Sequence, residues 1–455
     1  MTGDAGNGRR PSAPRGWKVG IVGMGYVGLT LAAAMARTGR YEVHGVDVQP
    51  DVVDSLSRGE PHIYEPGVGE AFAELVGQRI FVGPQLPDGG VDAVVICVST
   101  PVDPATHEPY LDNLVAAAEH VAARCRPGTL VVVRSTVPVG ASRRFVLPPL
   151  ERAWGAARLV MAPERTIQGQ ALRELVELPQ VIGGIDQESL ELGLDLFRGL
   201  VRQLVPVSSL ETAELVKLAN NCHTDVIYSF GNEIAMLTER LGLDPLEVIR
   251  ATNLDYPRPD LARPGYVGGG CLSKDPYLML AGAQRYGYTP QLIKSARALN
   301  ESLPGHVARR VVRLMPGGGG GTLAVLGWAY KGWPPTDDMR GTPIAAMMPV
   351  FTAAGIRVLG HDPRVRAEVI RAHGGEPVDL AEGFRAADGV LIVTDHPDYR
   401  AIDVSAALAG SRARFVFDSW RVLDADRVAA CGVRYAALGF ERPDPARVPP
   451  SGVVA

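Results

Sequence analysis

The sequence predicts an α/β protein in which two doubly wound, largely parallel sheets are joined by a helical centre. Three observations predict this. Short apolar, β-branched runs alternate with helix-periodic stretches in the N-terminal part of the chain. After Leu210 the alternation gives way to a stretch, 211–241, with no proline and one glycine. Beyond the run Pro-Gly-Gly-Gly-Gly-Gly (316–321), which reads as a flexible linker or loop, the alternation resumes.

Taken in order, residues 18–22 read as a buried strand, 28–38 as a helix and 41–46 as a second strand ending at Asp47. Further strands are expected at 91–98 and 130–134, with a helix over 112–125 between them, and an apolar strand end at 159–162. In 211–241, Leu215, Leu218, Cys222, Val226 and Ile227 recur at helical spacing. This reads as one long helix or two in sequence, able to span a domain and leave a face for a partner subunit. The last part offers a strand at 322–327, a helix at 342–354, and strands at 357–359, 389–394 and 414–418. The two α/β parts are a loose internal echo, not a short-period repeat. The expected partition is a tail over 1–16, domains over 17–208 and 209–315, and a last domain over 316–455. The tail is rich in Gly, Pro and Arg without an apolar core, which points to disorder rather than a signal peptide.

A chain of 455 residues suits two or three domains, and 46% hydrophobic with 21% charged residues is ordinary for a soluble globular protein. A formal net charge of −4 gives no electrostatic case for nucleic acid. The five cysteines are scattered and odd in number, with no metal-type pairing, so they read as reduced thiols in a cytoplasm and no metal is expected. Residues 19–36 are almost wholly apolar and about long enough to span a bilayer. Gly23, Gly25 and Gly28 interrupt them, however, and a strand–turn–helix explains them better than a membrane span.

Gly23-Met24-Gly25-Tyr26-Val27-Gly28 fits G-x-G-x-x-G. The first glycine makes the tight turn, the second lets a pyrophosphate approach, and the third lets helix and strand pack closely. A strand precedes the motif, a helix follows, and Asp47 closes the next strand, where a carboxylate bonds ribose hydroxyls and repels a 2′-phosphate. This favours NAD over NADP, the alternative being a glycine-rich turn without cofactor. Cys271 follows three glycines, with Lys274 and Asp275 three and four positions later. A nearby cation favours the thiolate and a carboxylate can activate water; the bland reading is a small buried hydrophobe. Lys217 and Asn221 share a helix face and could hold an oxyanion, or be solvated surface. Pro-Glu-Arg-Thr (163–166) stands at a strand carboxyl end, where such sheets meet ligand, or is a surface turn. Lys331 and Arg340 flank Asp337-Asp338, and either bind diphosphate or pair with those aspartates.

Together these motifs resemble the UDP-sugar 6-dehydrogenase family, which includes UDP-glucose and UDP-N-acetylmannosamine dehydrogenases. The resemblance spans 17–440. It runs through Gly-Met-Gly-Tyr-Val-Gly-Leu (23–29), Ser-Thr-Pro (99–101), Ser-Thr-Val-Pro-Val-Gly (135–140), Pro-Glu-Arg-Thr (163–166) and Ala-Glu-Leu-Val-Lys-Leu-Ala-Asn-Asn (213–221). It continues through Asn232-Glu233, Gly-Gly-Gly-Cys (268–271) with Lys274-Asp275, Ala-Tyr-Lys (329–331) and Asp-Asp-Met-Arg (337–340). The resemblance implies an NAD-binding Rossmann domain, a helical dimerisation domain, and a second Rossmann-like domain closing over the UDP-sugar. The homodimer or higher homo-oligomer is implied in the same way. It implies a four-electron oxidation with two NAD in turn, Cys271 forming a thiohemiacetal and then a thioester, and water activated near Asp275 or Glu164. Lys217 and Asn221 would stabilise oxyanions. Gly23, Gly25, Tyr26, Val27, Gly28, Asp47, Thr100, Thr136 and Lys274 would lie at the cofactor. Glu164, Arg165, Lys217, Asn221, Gly268, Lys331 and Arg340 would lie at the substrate.

Arg165 and Gln168 stand where the UDP-glucose branch has an aromatic and a second glutamate, which places the chain nearer the N-acetylhexosamine branch, as does Asp275-Pro276. Trp333-Pro334-Pro335 lengthens the loop between Lys331 and Arg340, and Asp-Ser-Trp-Arg (418–421) replaces the family's Asp-Gly-Arg-Asn. A UDP-N-acetylhexosamine substrate is the first reading and UDP-glucose the nearest alternative. A simple hydroxyacid dehydrogenase would have no use for Cys271 or the last domain. An NAD-sensing paralogue without activity would tolerate loss of the thiol or lysine, and both are retained.

Overall fold

The computed structural model describes residues 16–255 and 260–442. Apart from Gly16, the tail expected over 1–16 lies outside the described residues, as does the end of the last domain. The chain forms two compact units. The first comprises the residues up to Leu218 with Tyr277–Gly282, and the second comprises Ala219–Pro276 with the residues from Ala283 onward.

The first unit is built on eight strands: β1 (Trp17–Val22), β2 (Tyr41–Val46), β3 (Ile80–Gly83), β4 (Ala93–Ile96), β5 (Leu130–Val133), β6 (Arg158–Met161), β7 (Gln180–Gly184) and β8 (Leu204–Val207). Their spatial order is β3-β2-β1-β4-β5-β6-β7-β8, parallel throughout except where β7 meets β6. Every residue of β4 (Ala-Val-Val-Ile) and β5 (Leu-Val-Val-Val) is buried, as a parallel sheet covered on both faces requires. The apolar segment at 19–36 is β1 followed by the helix Tyr26–Arg37, whose Leu29, Leu31, Ala32, Ala33 and Met35 are fully enclosed. Its hydrophobicity therefore serves this core. Among the described residues no helix is long and apolar enough to cross a membrane.

The second unit carries β9 (Thr322–Leu326), β10 (Arg357–His361), β11 (Glu376–Pro377), β12 (Gly389–Ile392), β13 (Phe415–Asp418), β14 (Arg434–Ala437) and β15 (Phe440–Glu441). Their order is β11-β10-β9-β12-β13-β14-β15, with only the β14–β15 pair antiparallel. Both sheets thus reverse direction beside their first strand, and the loose echo read from sequence is a repeat of topology. Trp328, Phe351, Phe415 and Phe417 fill one face of this second sheet. The glycine run at 316–321 is a short connection, with a 3-10 turn over Pro316–Gly318 that leads into β9. The proline-free stretch is a single helix of 32 residues, Leu210–Leu241, which leaves the first unit at Leu218 and enters the second at Ala219.

Candidate functional site

In an open parallel sheet ligands bind beyond the strand carboxyl ends, where the strand order reverses. In the first unit that point lies between β1 and β4, and Gly23–Gly28 follows β1 there. Gly23 has φ +93°, and a Cβ on it would stand 2.9 Å from the Cys97 carbonyl oxygen. A Cβ on Gly28 would strike the Gly23 carbonyl, whereas one on Gly25 would meet nothing within 4 Å. Two glycines therefore let the chain close on itself, and the middle one leaves open space beside the N-terminus of the helix Tyr26–Arg37. That terminus has no side-chain cap, so its first amides face the opening. These residues fit the pyrophosphate of a dinucleotide. Asp47 stands at the end of β2, its Oδ2 accepting the Met24 amide at 2.9 Å and its Oδ1 the Gln49 amide at 3.0 Å. Thr100 Oγ1 donates to the Thr136 carbonyl at 2.6 Å, tying together the loops after β4 and β5.

The loop after β6 brings Glu164 to the same end of the sheet. Glu164 is buried, accepts the Thr166 amide, and forms an ion pair with the buried Lys217 ammonium at 3.8 Å. The Arg165 guanidinium donates to the Pro179 carbonyl at 3.3 Å. A second buried carboxylate, absent from every motif above, shapes this loop. Glu65 accepts the amides of Gly169 and Ala171, each at 2.7 Å, and the Tyr26 hydroxyl at 2.8 Å. Burial and the neighbouring Glu65 raise the Tyr26 pKa, so that hydroxyl stays protonated and committed to Glu65. Tyr26 thus offers a ligand its backbone amide rather than its hydroxyl. Glu65 lies 104 residues from Gly169, and nothing in the local sequence pattern signals it.

In the second unit Cys271 is exposed, in the short helix Gly269–Leu272. Each of the three preceding glycines is matched by the segment that carries Tyr330 to Gly341. A Cβ on Gly268 would strike the Gly341 carbonyl, one on Gly269 would stand 2.7 Å from the Tyr330 ring, and one on Gly270 would stand 2.8 Å from the Arg340 guanidinium carbon. Arg340 therefore lies against the residue preceding the thiol, held by two oxygens of Asp338 at 2.6–3.1 Å. Hydrogen bonding to Asp338 raises its pKa, against the lowering by burial. Lys331 places its ammonium 5.5 Å from the centre of the Tyr330 ring.

Asp275, fully buried, accepts the Asn221 amide at 2.5 Å and the Lys274 ammonium at 2.8 Å. Lys274 is thus drawn to Asp275, and Asn221 is fixed by the same carboxylate. The Asp-Ser-Trp-Arg segment at the end of β13 packs on the approach to the cysteine loop. Ser419 Oγ and the Tyr266 hydroxyl lie 2.9 Å apart, and the Trp420 carbonyl accepts from Arg263 at 2.9 Å.

The second sheet repeats the geometry of the first at its own reversal point. Gly327 follows β9 with φ +93°, and the Trp328 amide donates to Asp362 Oδ2, just beyond β10, at 2.6 Å. These are the counterparts of Gly23, Met24 and Asp47.

Residues 17–201 match the NAD binding domain of the UDP-glucose/GDP-mannose dehydrogenase family, residues 211–302 its central domain and residues 324–425 its UDP binding domain. A UDP-N-acetyl-D-mannosamine dehydrogenase of Pyrococcus horikoshii is 31% identical over 89% of this chain and 96% of its own length. A UDP-glucose 6-dehydrogenase of Rhizobium meliloti is 30% identical over 94% of this chain and 100% of its own. The solved structure of the UDP-D-ManNAc dehydrogenase from Pyrococcus horikoshii superposes with a TM-score of 0.82 at 30% identity, covering 93% of this chain and 99% of that one. The chain belongs to the UDP-glucose/GDP-mannose dehydrogenase family and is an NAD-dependent UDP-sugar dehydrogenase.

Proposed function

We propose that this dehydrogenase oxidises the C6 hydroxyl of a UDP-N-acetylhexosamine, the mannosamine or glucosamine form, to the uronate through a covalent bond to Cys271. The observation that carries the covalent step is the fit of the glycine run: Gly268 and Gly269 admit a carbonyl and a ring that side chains would exclude, Gly270 lies against the Arg340 guanidinium, and the thiol is left exposed beside that cation. An adjacent cation favours the thiolate. When bound, NAD supplies the hydride acceptor, two per sugar, for converting a CH2OH group and water into a carboxylate.

The Cys271 sulfur adds to the C6 aldehyde, and the resulting thiohemiacetal keeps that carbon in place for its second oxidation. Water then cleaves the thioester, releasing the uronate and restoring the thiol. Asn221 presents its amide to the developing oxyanion, oriented by Asp275. Lys217 supplies a positive charge for the same purpose, and Glu164 holds that ammonium and stands as the base for water. In the first unit Gly23, Gly25, Gly28, Asp47, Thr100 and Thr136 hold the dinucleotide. Lys331 and Arg340 serve the diphosphate and the closed thiol loop.

The N-acetyl branch is supported by relatives named for N-acetylated sugars and by Arg165 with Gln168, both half-buried in the loop after β6. UDP-glucose is the second reading, because a relative of that name is nearly as similar. The partition into domains over 17–208, 209–315 and 316–455 belongs to the same proposal, as does a dimer. Uronate and NADH formation should be measured with UDP-N-acetylmannosamine, UDP-N-acetylglucosamine and UDP-glucose. The expected result is a higher kcat/KM for an N-acetylated sugar. Uronate from Cys271→Ser should fall by roughly a hundredfold or more. Highest efficiency with UDP-glucose would overturn the sugar, and uronate at the wild-type rate from the serine variant would overturn the covalent step.

A further inference from the structure

A run of three glycines has the most backbone freedom to lose on folding, so something must hold the cysteine loop in one place. The holder lies outside every motif read from the sequence. Arg297, on the helix Gln291–Leu314, is 2% exposed. Its Nη1 donates to the Leu272 carbonyl at 2.7 Å and its Nη2 to the Val267 carbonyl at 3.2 Å. These two carbonyls bracket Gly-Gly-Gly-Cys on either side.

The same Nη1 donates to Asp225 Oδ1 at 2.7 Å. Asn300 donates to that oxygen at 3.0 Å and to the Asp225 carbonyl at 2.9 Å. Asn300 in turn accepts from Asn232 at 2.9 Å. Asn232 grips Gly265 in both directions, donating to its carbonyl at 3.0 Å and accepting its amide at 2.8 Å. A continuous buried chain, Arg297–Asp225–Asn300–Asn232, thus grips the loop at Gly265, Val267 and Leu272. The planar guanidinium fork can meet two carbonyls and a carboxylate at fixed angles, which an ammonium cannot.

We propose that Arg297 is a positioning residue for Cys271. Its fork holds the loop so that the thiol intercepts the C6 aldehyde before it escapes, and thereby sets the partition between released aldehyde and uronate. This rests on the covalent reading above.

Arg297→Lys keeps the charge but loses the fork. Arg297→Met combined with Asp225→Asn removes both charges, so that no lone buried charge is left to unfold the protein. Each variant is checked by thermal unfolding, then run with a UDP-sugar, NAD and hydroxylamine to trap free aldehyde. The expected result in a folded variant is that the ratio of trapped aldehyde to uronate rises by roughly tenfold to a hundredfold. A role confined to charge balance predicts the wild-type ratio in both variants, and that result in either folded variant overturns the proposal. Cys271→Ser is run alongside. Loss of uronate there, with a wild-type ratio in the Arg297 variants, sinks the clamp alone. Retained uronate in the serine variant sinks the covalent reading, and the clamp with it.

Discussion

At Glu214 burial and hydrogen bonding pull in opposite directions. The residue sits on the long helix one turn before Lys217 and is fully buried. Its carboxyl accepts the Ser142 amide at 2.9 Å and the Gly140 amide at 2.5 Å, which fastens the loop after β5, where Thr136 lies. Burial pushes its pKa up to about 7, against the lowering by those donors, and the nearby Glu211 charge adds to the rise. Between the ordinary carboxyl pKa near 4.5 and about 7, the folded state keeps a proton that the unfolded chain has released. This group therefore makes stability fall as pH rises through that window, by about 1.4 kcal/mol for each pH unit crossed. Glu211 and its partner Arg143 titrate outside it, since their pairing lowers the acid and raises the base. Glu214→Gln should be less stable throughout, because its amide nitrogen cannot accept the second N–H. It should also lack the decline between pH 5 and 7. Urea midpoints at several pH values test this, and parallel profiles for the two proteins would refute it.

The glycine run shows how an element is dictated by its neighbour. Gly269 has φ +85° and faces the Tyr330 ring, so alanine there meets both a strained backbone and a packed side chain. Gly270 faces the end of Arg340, which can shift. Gly269→Ala should therefore cost roughly 1–3 kcal/mol of stability and Gly270→Ala less than about 1 kcal/mol. Denaturant titration gives the order, and equal losses would mean that the matching segment is not what the glycines serve. These glycines were legible because a run of them before a cysteine has few uses. The strands β4, β5, β9 and β12 were legible because burial on both faces makes them continuous apolar runs. The strands β7 and β8 were not, because Gly183, Gly184 and Pro206 dilute the β-branched signal, and β11 and β15 are two residues each. Glu65 and Arg297 were missed for another reason. Each works through a partner 25 to 106 residues away, and a lone polar residue in a helix or loop carries no periodicity.

On the scale of the whole molecule, the long helix leaves an apolar stripe that its own unit does not cover. Ile227, Phe230, Leu237 and Leu241 are 37%, 49%, 51% and 60% exposed, and their spacing of three, seven and four residues keeps them on one face. Scattered surface leucines need no explanation, but large side chains aligned over four turns do. A helix presenting such a stripe is suited to an isologous contact, in which the same patch of a second copy meets it about a two-fold axis. Buried Asn232 and Asp225 face the opposite way, into the network that reaches the cysteine loop. One side of this helix thus organises the thiol loop while the other is available to a partner, and substitutions on the two sides should separate. Phe230→Glu combined with Leu237→Glu places two charges in the stripe without touching the inner network. The wild-type protein is expected to sediment as a dimer at micromolar concentration and the double variant as a folded monomer. A monomeric wild type, or a variant that still dimerises, would show that the stripe is not the contact.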